Sequence, residues 1–87
     1  MNIITKDDVN IILQWIKNAT KEERHNEVIE EFAKKHPIIF SKFHMLTRKI
    51  VSEDVDSKEY IKAKEKLTKL FRENEDDFKP IFDFILK

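Results

Sequence analysis

The chain has 87 residues, with 17 basic and 17 acidic side chains giving a formal net charge of zero, and it contains neither Gly nor Cys. Electroneutrality argues against a general nucleic-acid coat and against purely electrostatic membrane attachment, because both draw their affinity from a basic excess. Missing Cys excludes disulfides and thiolate chemistry and fits a reducing, intracellular compartment.

Without Gly, left-handed turns are costly everywhere, so hairpins are disfavoured. The expected fold class is all-α, one helical domain over residues 1–87 with four main helices and a short C-terminal fifth. The N-terminal stretch Met1–Asp8 has no basic start and no long apolar core, so it does not read as a secretory signal. No run approaches the roughly 18 apolar residues that span a bilayer.

Thr5-Lys6-Asp7-Asp8 reads as a helix start: Thr5 can cap, and the two acids suit the positive end of the helix dipole. The first helix runs to about Ala19. Val9, Ile12, Leu13 and Ile16 follow the i, i+3, i+4, i+7 pattern, and Ile11 and Trp15 add a second stripe. Together they widen the apolar arc to roughly 200°, which predicts two neighbours for this helix, or one neighbour and a partner.

Thr20-Lys21-Glu22-Glu23 is a capping box and predicts a second helix from there to about Lys35, with Val28, Ile29, Phe32 and Ala33 buried. His36 precedes Pro37 and is biased out of the helical region, so the chain breaks there and Pro37 opens the third helix, which runs to about Ser52. Ile39, Phe40, Phe43, Leu46 and Ile50 fall on its core side, with Ile38 and Met45 opposite. Glu53–Asp56 is the clearest loop. Asp56-Ser57-Lys58-Glu59 reads as another capping box, starting a fourth helix that reaches about Asn74 and buries Tyr60, Ala63, Leu67, Leu70 and Phe71. After Glu75-Asp76-Asp77 the last helix buries Phe78, Ile81, Phe82 and Ile85. Its Pro80 is expected in the first turn, because a proline deeper in a helix removes a hydrogen bond.

Little in this chain points to catalysis. His25, His36 and His44 lack the spacing of a zinc site, and no Cys supplements them. The acid clusters at Glu53-Asp54-Asp56 and Glu73-Glu75-Asp76-Asp77 lack the glycine that a calcium loop needs at its sharp turn. No nucleophile, oxyanion hole or phosphate loop stands beside the carboxylates. The expectation is a non-enzyme with no cofactor, no metal and no small-molecule substrate.

Two surface features remain. On the fourth helix Lys58, Lys62, Lys66, Lys69 and Arg72 share an arc of roughly 120° opposite the apolar face and could track phosphates. Glu59, Glu65 and Glu73 lie within or beside that arc, Glu65 and Lys69 have the favourable i, i+4 order, and the groups that read base edges are scarce, so a solvated charged face outweighs nucleic-acid binding. The stronger signal is surplus apolar surface. Ile11, Trp15, Ile38, Met45, Ile61 and Phe84 fall outside the core stripes, a contiguous apolar patch marks an interface, and Trp is the best single anchor type. For Trp15 a binding role and a plain core role stand at even odds. Homodimerisation would use the same residues.

Residue usage is biased towards amino acids with A/T-rich codons. Phe, Tyr, Met, Ile, Asn and Lys total 41 residues, whereas Gly, Ala, Arg and Pro total eight. Helix propensity would favour Ala and Leu over Ile, and here Ile outnumbers Leu 12 to five, so an A/T-rich genome is the better account. The segment Glu31-Phe32-Ala33-Lys34-Lys35-His36-Pro37-Ile38-Ile39-Phe40 resembles an E-F-x-x-K-[YH]-P-x-[IL]-F segment of short helical proteins of large nucleocytoplasmic DNA viruses. The resemblance covers about ten residues, implies a viral source and a virion or host-cell setting, and supplies no active site.

The leading expectation is therefore a non-enzymatic helical interaction module, binding itself or another protein through Ile11, Trp15, Ile38, Met45 and Phe84. The alternative is a small nucleic-acid-associated protein using Lys58, Lys62, Lys66, Lys69 and Arg72. An accessory subunit whose chemistry resides elsewhere is a remote third reading.

Overall fold

A computed structural model describes residues 4–86. Five α-helices follow one another: α1 (Lys6–Asn18), α2 (Glu27–Lys35), α3 (Pro37–Ser52), α4 (Lys58–Glu73) and α5 (Glu75–Leu86). Met1, Asn2 and Ile3, part of the stretch read above against a secretory signal, lie outside the described residues, as does Lys87. The fold class is all-α, and no described helix is long and apolar enough to cross a membrane.

Local side-chain chemistry sets the helix starts. At α1 the Thr5 hydroxyl accepts from the Asp8 amide and the Asp8 carboxylate accepts from the Thr5 amide, each at 3.1 Å, which closes a capping box. Ile4 and Val9 flank that cap at the positions of a hydrophobic staple, and both are buried.

The single second helix expected from Thr20 is corrected to two pieces. The Thr20–Glu23 box does form, at 3.0 and 3.1 Å, but it opens only a 3₁₀ turn at Glu23–His25. The cause is Asn26. Its side-chain amide donates to the Glu23 carbonyl at 2.8 Å and its side-chain oxygen accepts from the Ile29 amide at 3.1 Å, so the chain stops, turns and restarts there. Asn competes with the backbone for hydrogen bonds in this way and favours caps over helix interiors.

The cap of α4 is Ser57 rather than Asp56: the Ser57 hydroxyl accepts from the Tyr60 amide at 3.1 Å. Pro80 also departs from expectation. Because α5 begins at Glu75, directly after Asn74, Pro80 is its sixth residue and lies inside the helix. Its ring nitrogen cannot donate to the Asp76 carbonyl one turn earlier. With 12 residues, α5 is longer than the nine-residue α2.

All five helices contribute to one core. The buried face of α1 is Val9, Ile12, Leu13 and Ile16, as the periodicity predicts, and this helix packs chiefly against α3 and α5, the first of the two arrangements expected for it. The radius of gyration is 12.0 Å, the value of about 12 Å that one packed domain of this length should have, so no helix stands apart from the body.

Phe78 occupies the crossing point. Its ring lies 4.7 Å from Phe32 of α2, 5.5 Å from Phe43 of α3, 4.9 Å from Phe71 of α4 and 5.8 Å from Phe82 of α5, between ring centroids. A second tie is Lys17, whose ammonium donates to the Glu53 carbonyl at 2.9 Å and lies 5.5 Å from the centre of the Tyr60 ring, joining α1 to the α3–α4 corner. Burial pushes the Tyr60 phenol above its ordinary range.

Candidate interaction surface

The five apolar residues singled out in the sequence stand on three helices, α1, α3 and α5. Ile38 (74% exposed) and Met45 (64%) lie two helical turns apart on the outward face of α3, opposite its buried residues Phe43 and Ile50. Ile11 (48%) stands on α1 and Phe84 (43%) on α5, and these two helices pack against each other. Trp15 sits one turn after Ile11 and meets the Phe84 ring edge-to-face, with centroids 6.0 Å apart. Ile61, 47% exposed, stands on α4.

Trp15 is half-buried and packs against the core, which is the core role weighed for it, and the rest of its ring reaches the surface. That outer part lines a groove of about 840 Å³ between the C-terminal end of α1, the Glu23–His25 turn, α2 and α3. The floor is apolar, with Trp15, Ile29, Ala33, Phe40, Phe43 and Val51 contributing. Phe40, His44, Thr47 and Val51 fall at i, i+4, i+7 and i+11 along the flank of α3 beside the core stripe, which is why one helix can supply both core and groove wall.

Among the charged side chains of the rim, Lys21, Arg24 and Arg48 outnumber the one acid. Lys21, Arg24, His25, His44 and Arg48 line it, against the single acid Glu30. Arg24 is held in place: its Nη1 donates to the carbonyls of Ile16 at 3.1 Å and Ala19 at 2.7 Å, covering acceptors that the end of α1 leaves open. Lys21 and Arg48 are exposed. His44 stacks on Phe40, with ring centroids 5.8 Å apart. Thr47 is buried, and its hydroxyl donates to the His44 carbonyl at 2.8 Å.

Sequence reasoning missed this groove. Its basic side chains come from two separate stretches, Lys21–His25 and His44–Arg48, that read separately as ordinary polar surface. Periodicity assigns Phe40 to the core side of the third helix and does not single out Thr47 and Val51, because only the packing of α2 against α3 turns this flank into a wall.

On the opposite charge pattern, Lys58, Lys62, Lys66, Lys69 and Arg72 of α4 are all exposed, as are Glu59, Glu65 and Glu73 among them. A second depression, at the α4–α5 turn, is lined by the acids Asp8, Glu73, Glu75, Asp76, Asp77 and Asp83, with Arg72 and Lys79 beside them. Among the described residues, no group of three or more His, Asp or Glu side chains converges in a way that could hold a metal ion. The neutral chain thus has segregated charge: a basic groove rim and an acidic α4–α5 corner. Comparison of the chain with protein-family models, curated proteins and solved structures returns no match.

Proposed function

We propose that this chain is a non-enzymatic helical module that binds another protein through apolar surface centred on Trp15. The observation that carries the reading is continuity. Trp15 lines the groove and also meets the exposed Phe84 ring, so one aromatic side chain links the groove to apolar surface on α5. Aromatic residues with one packed face and one open face are the usual anchors of protein interfaces. The A/T-rich residue usage and the segment from Glu31 to Phe40 support a viral source and a virion or host-cell setting for such a module.

The test uses the only Trp in the chain. Light scattering across a wide concentration range gives the mass of the free protein, and Trp15 emission reports burial when a partner or a second copy binds. Trp15→Ala should weaken that association more than it weakens folding. A folded Trp15→Ala protein that keeps the association unchanged refutes the reading.

The nucleic-acid reading has one observation in its favour, the exposure of Lys58, Lys62, Lys66, Lys69 and Arg72 on α4. It predicts retardation of a duplex or single strand at low salt that disappears as salt rises. The acids interleaved on the same face make it the weaker of the two.

A further inference from the structure

We propose that the groove between α1, α2 and α3 takes an acidic amphipathic helix from a protein partner, an inference that rests on the reading of the chain as an interaction module. Three features of the groove define that occupant. The first is shape. Its longest wall runs along α3 from Phe40 to Ser52, which at 1.5 Å per residue is about 18 Å, or a little over three helical turns. Its walls are helices, and the natural complement of such a groove is another helix that presents anchors at i, i+4 and i+7.

The second feature is the floor. Ala33 and Phe40 lie at the end where α2 and α3 join, Val51 lies at the other end, and Trp15 contributes from α1. Small Ala33 leaves room beside Phe40 where a larger side chain would fill the space. A row of apolar anchors along one face of the incoming helix fits this arrangement.

The third feature is charge, and it selects the sign. Lys21 and Arg48 are exposed, Arg24 is fixed by its two bonds to the Ile16 and Ala19 carbonyls, and Glu30 is the one acid in the groove lining. An incoming helix with carboxylates flanking its apolar face would meet these cations at the rim, where complementary charge steers encounter and fixes register. A second copy of the chain is the less suitable occupant. Its acidic corner is a helix junction, and the apolar residues beside it, Ile4, Phe82 and Leu86, are already buried or half-buried in its own body.

Three synthetic amphipathic helices that share one apolar face, with their remaining positions filled by Glu, Gln or Lys, test this directly. Binding is read by backbone amide shifts and Trp15 emission. The Glu peptide should shift the amides of Ala33, His44 and Thr47 and bind roughly tenfold tighter than the Gln peptide at low salt, with the gap closing as salt screens the rim. The Lys21→Glu/Arg48→Glu double variant, altered only at exposed positions, should stay folded by circular dichroism and lose that preference. Equal binding of the Glu and Lys peptides overturns the acidic occupant and leaves the interaction reading standing. Groove shifts that grow with the protein's own concentration, without peptide, assign the groove to a second copy and overturn the proposal. If no peptide shifts any groove amide, the groove is not a helix-binding site, and the proposal falls while the Trp15→Ala test still decides the broader reading.

Discussion

Phe78→Ala should be the most damaging single truncation in this protein. The Phe78 side chain is fully buried and its ring contacts aromatic rings from α2, α3, α4 and α5 itself. A phenylalanine buries about 150–250 Å², which at about 25 cal/mol per Å² corresponds to roughly 4–6 kcal/mol as an upper bound. Alanine keeps part of that surface, the cavity left behind adds a cost, and buried Phe→Ala changes commonly fall near 3–5 kcal/mol. We expect a loss of about 4 kcal/mol. A domain of this length has a total stability of about 4–13 kcal/mol, so the variant is left marginal, and its Tm should fall by about 15–30 °C.

Urea and thermal unfolding followed by far-ultraviolet circular dichroism measure this, provided that the urea m-value stays constant. Phe78→Leu restores most of the volume but not the ring contacts and should cost about half as much. Phe84→Ala is the control. That ring is partly exposed and has Trp15 as its one aromatic neighbour among the described residues, so its loss should cost about 1 kcal/mol. A Phe78→Ala loss below about 1.5 kcal/mol, or one no larger than that of Phe84→Ala, would show that the five helices do not depend on a shared aromatic junction.

Three further outcomes are expected. Pro80→Ala should stabilise the protein by about 1–2 kcal/mol, because it restores a donor to the Asp76 carbonyl inside α5 and this gain exceeds the entropy that proline removes from the unfolded chain; a loss of stability would mean that α5 starts later than Glu75. Lys17→Met should cost about 1–2 kcal/mol by removing the bond to the Glu53 carbonyl and the charge beside the Tyr60 ring, measurable as a lower urea midpoint. Glu23 should titrate below the usual carboxylate range in carbon-detected NMR, since the Thr20 amide and, to a lesser degree, the Thr20 hydroxyl hold its charged form. A carboxyl group lowered on folding contributes stability above its unfolded pKa, and that contribution is lost as pH falls through the folded value. Thr20→Ala should therefore raise the Glu23 midpoint only part of the way, because the amide remains; an unchanged midpoint would deny the hydroxyl any part in it.

How far the sequence carries can be judged residue by residue. Apolar spacing placed Val9, Ile12, Leu13 and Ile16 on one buried face, and Pro37 and Ser52 bounded α3 correctly, since these features depend only on helical period and on proline geometry. Where two local signals competed, sequence reasoning failed. Thr20 and Glu23 announced a helix, but Asn26 cut it short, and the choice between them depended on which hydrogen bonds the packed chain could complete. Pro80 looked like a first-turn residue because its intrinsic cost is lowest there, yet α5 begins early enough to enclose it. Burial of Phe78 on one side of Pro80 and of Ile81 and Ile85 on the other favours continuing the helix over keeping one hydrogen bond.

The apolar surplus at Ile11, Trp15, Ile38, Met45 and Phe84 was legible as a list but not as a surface. Period assigns each residue to a face of its own helix, and it carries no information about which faces of different helices end up side by side. By itself, the sequence determined that this chain is helical, which faces of α1 and α4 are buried and where α1 and α3 start, because those are set within a few residues of chain. Only the tertiary structure decided that Trp15 meets Phe84, and that Lys21 and Arg24 line one apolar groove with the distant Arg48, because long-range packing alone brings such distant positions together.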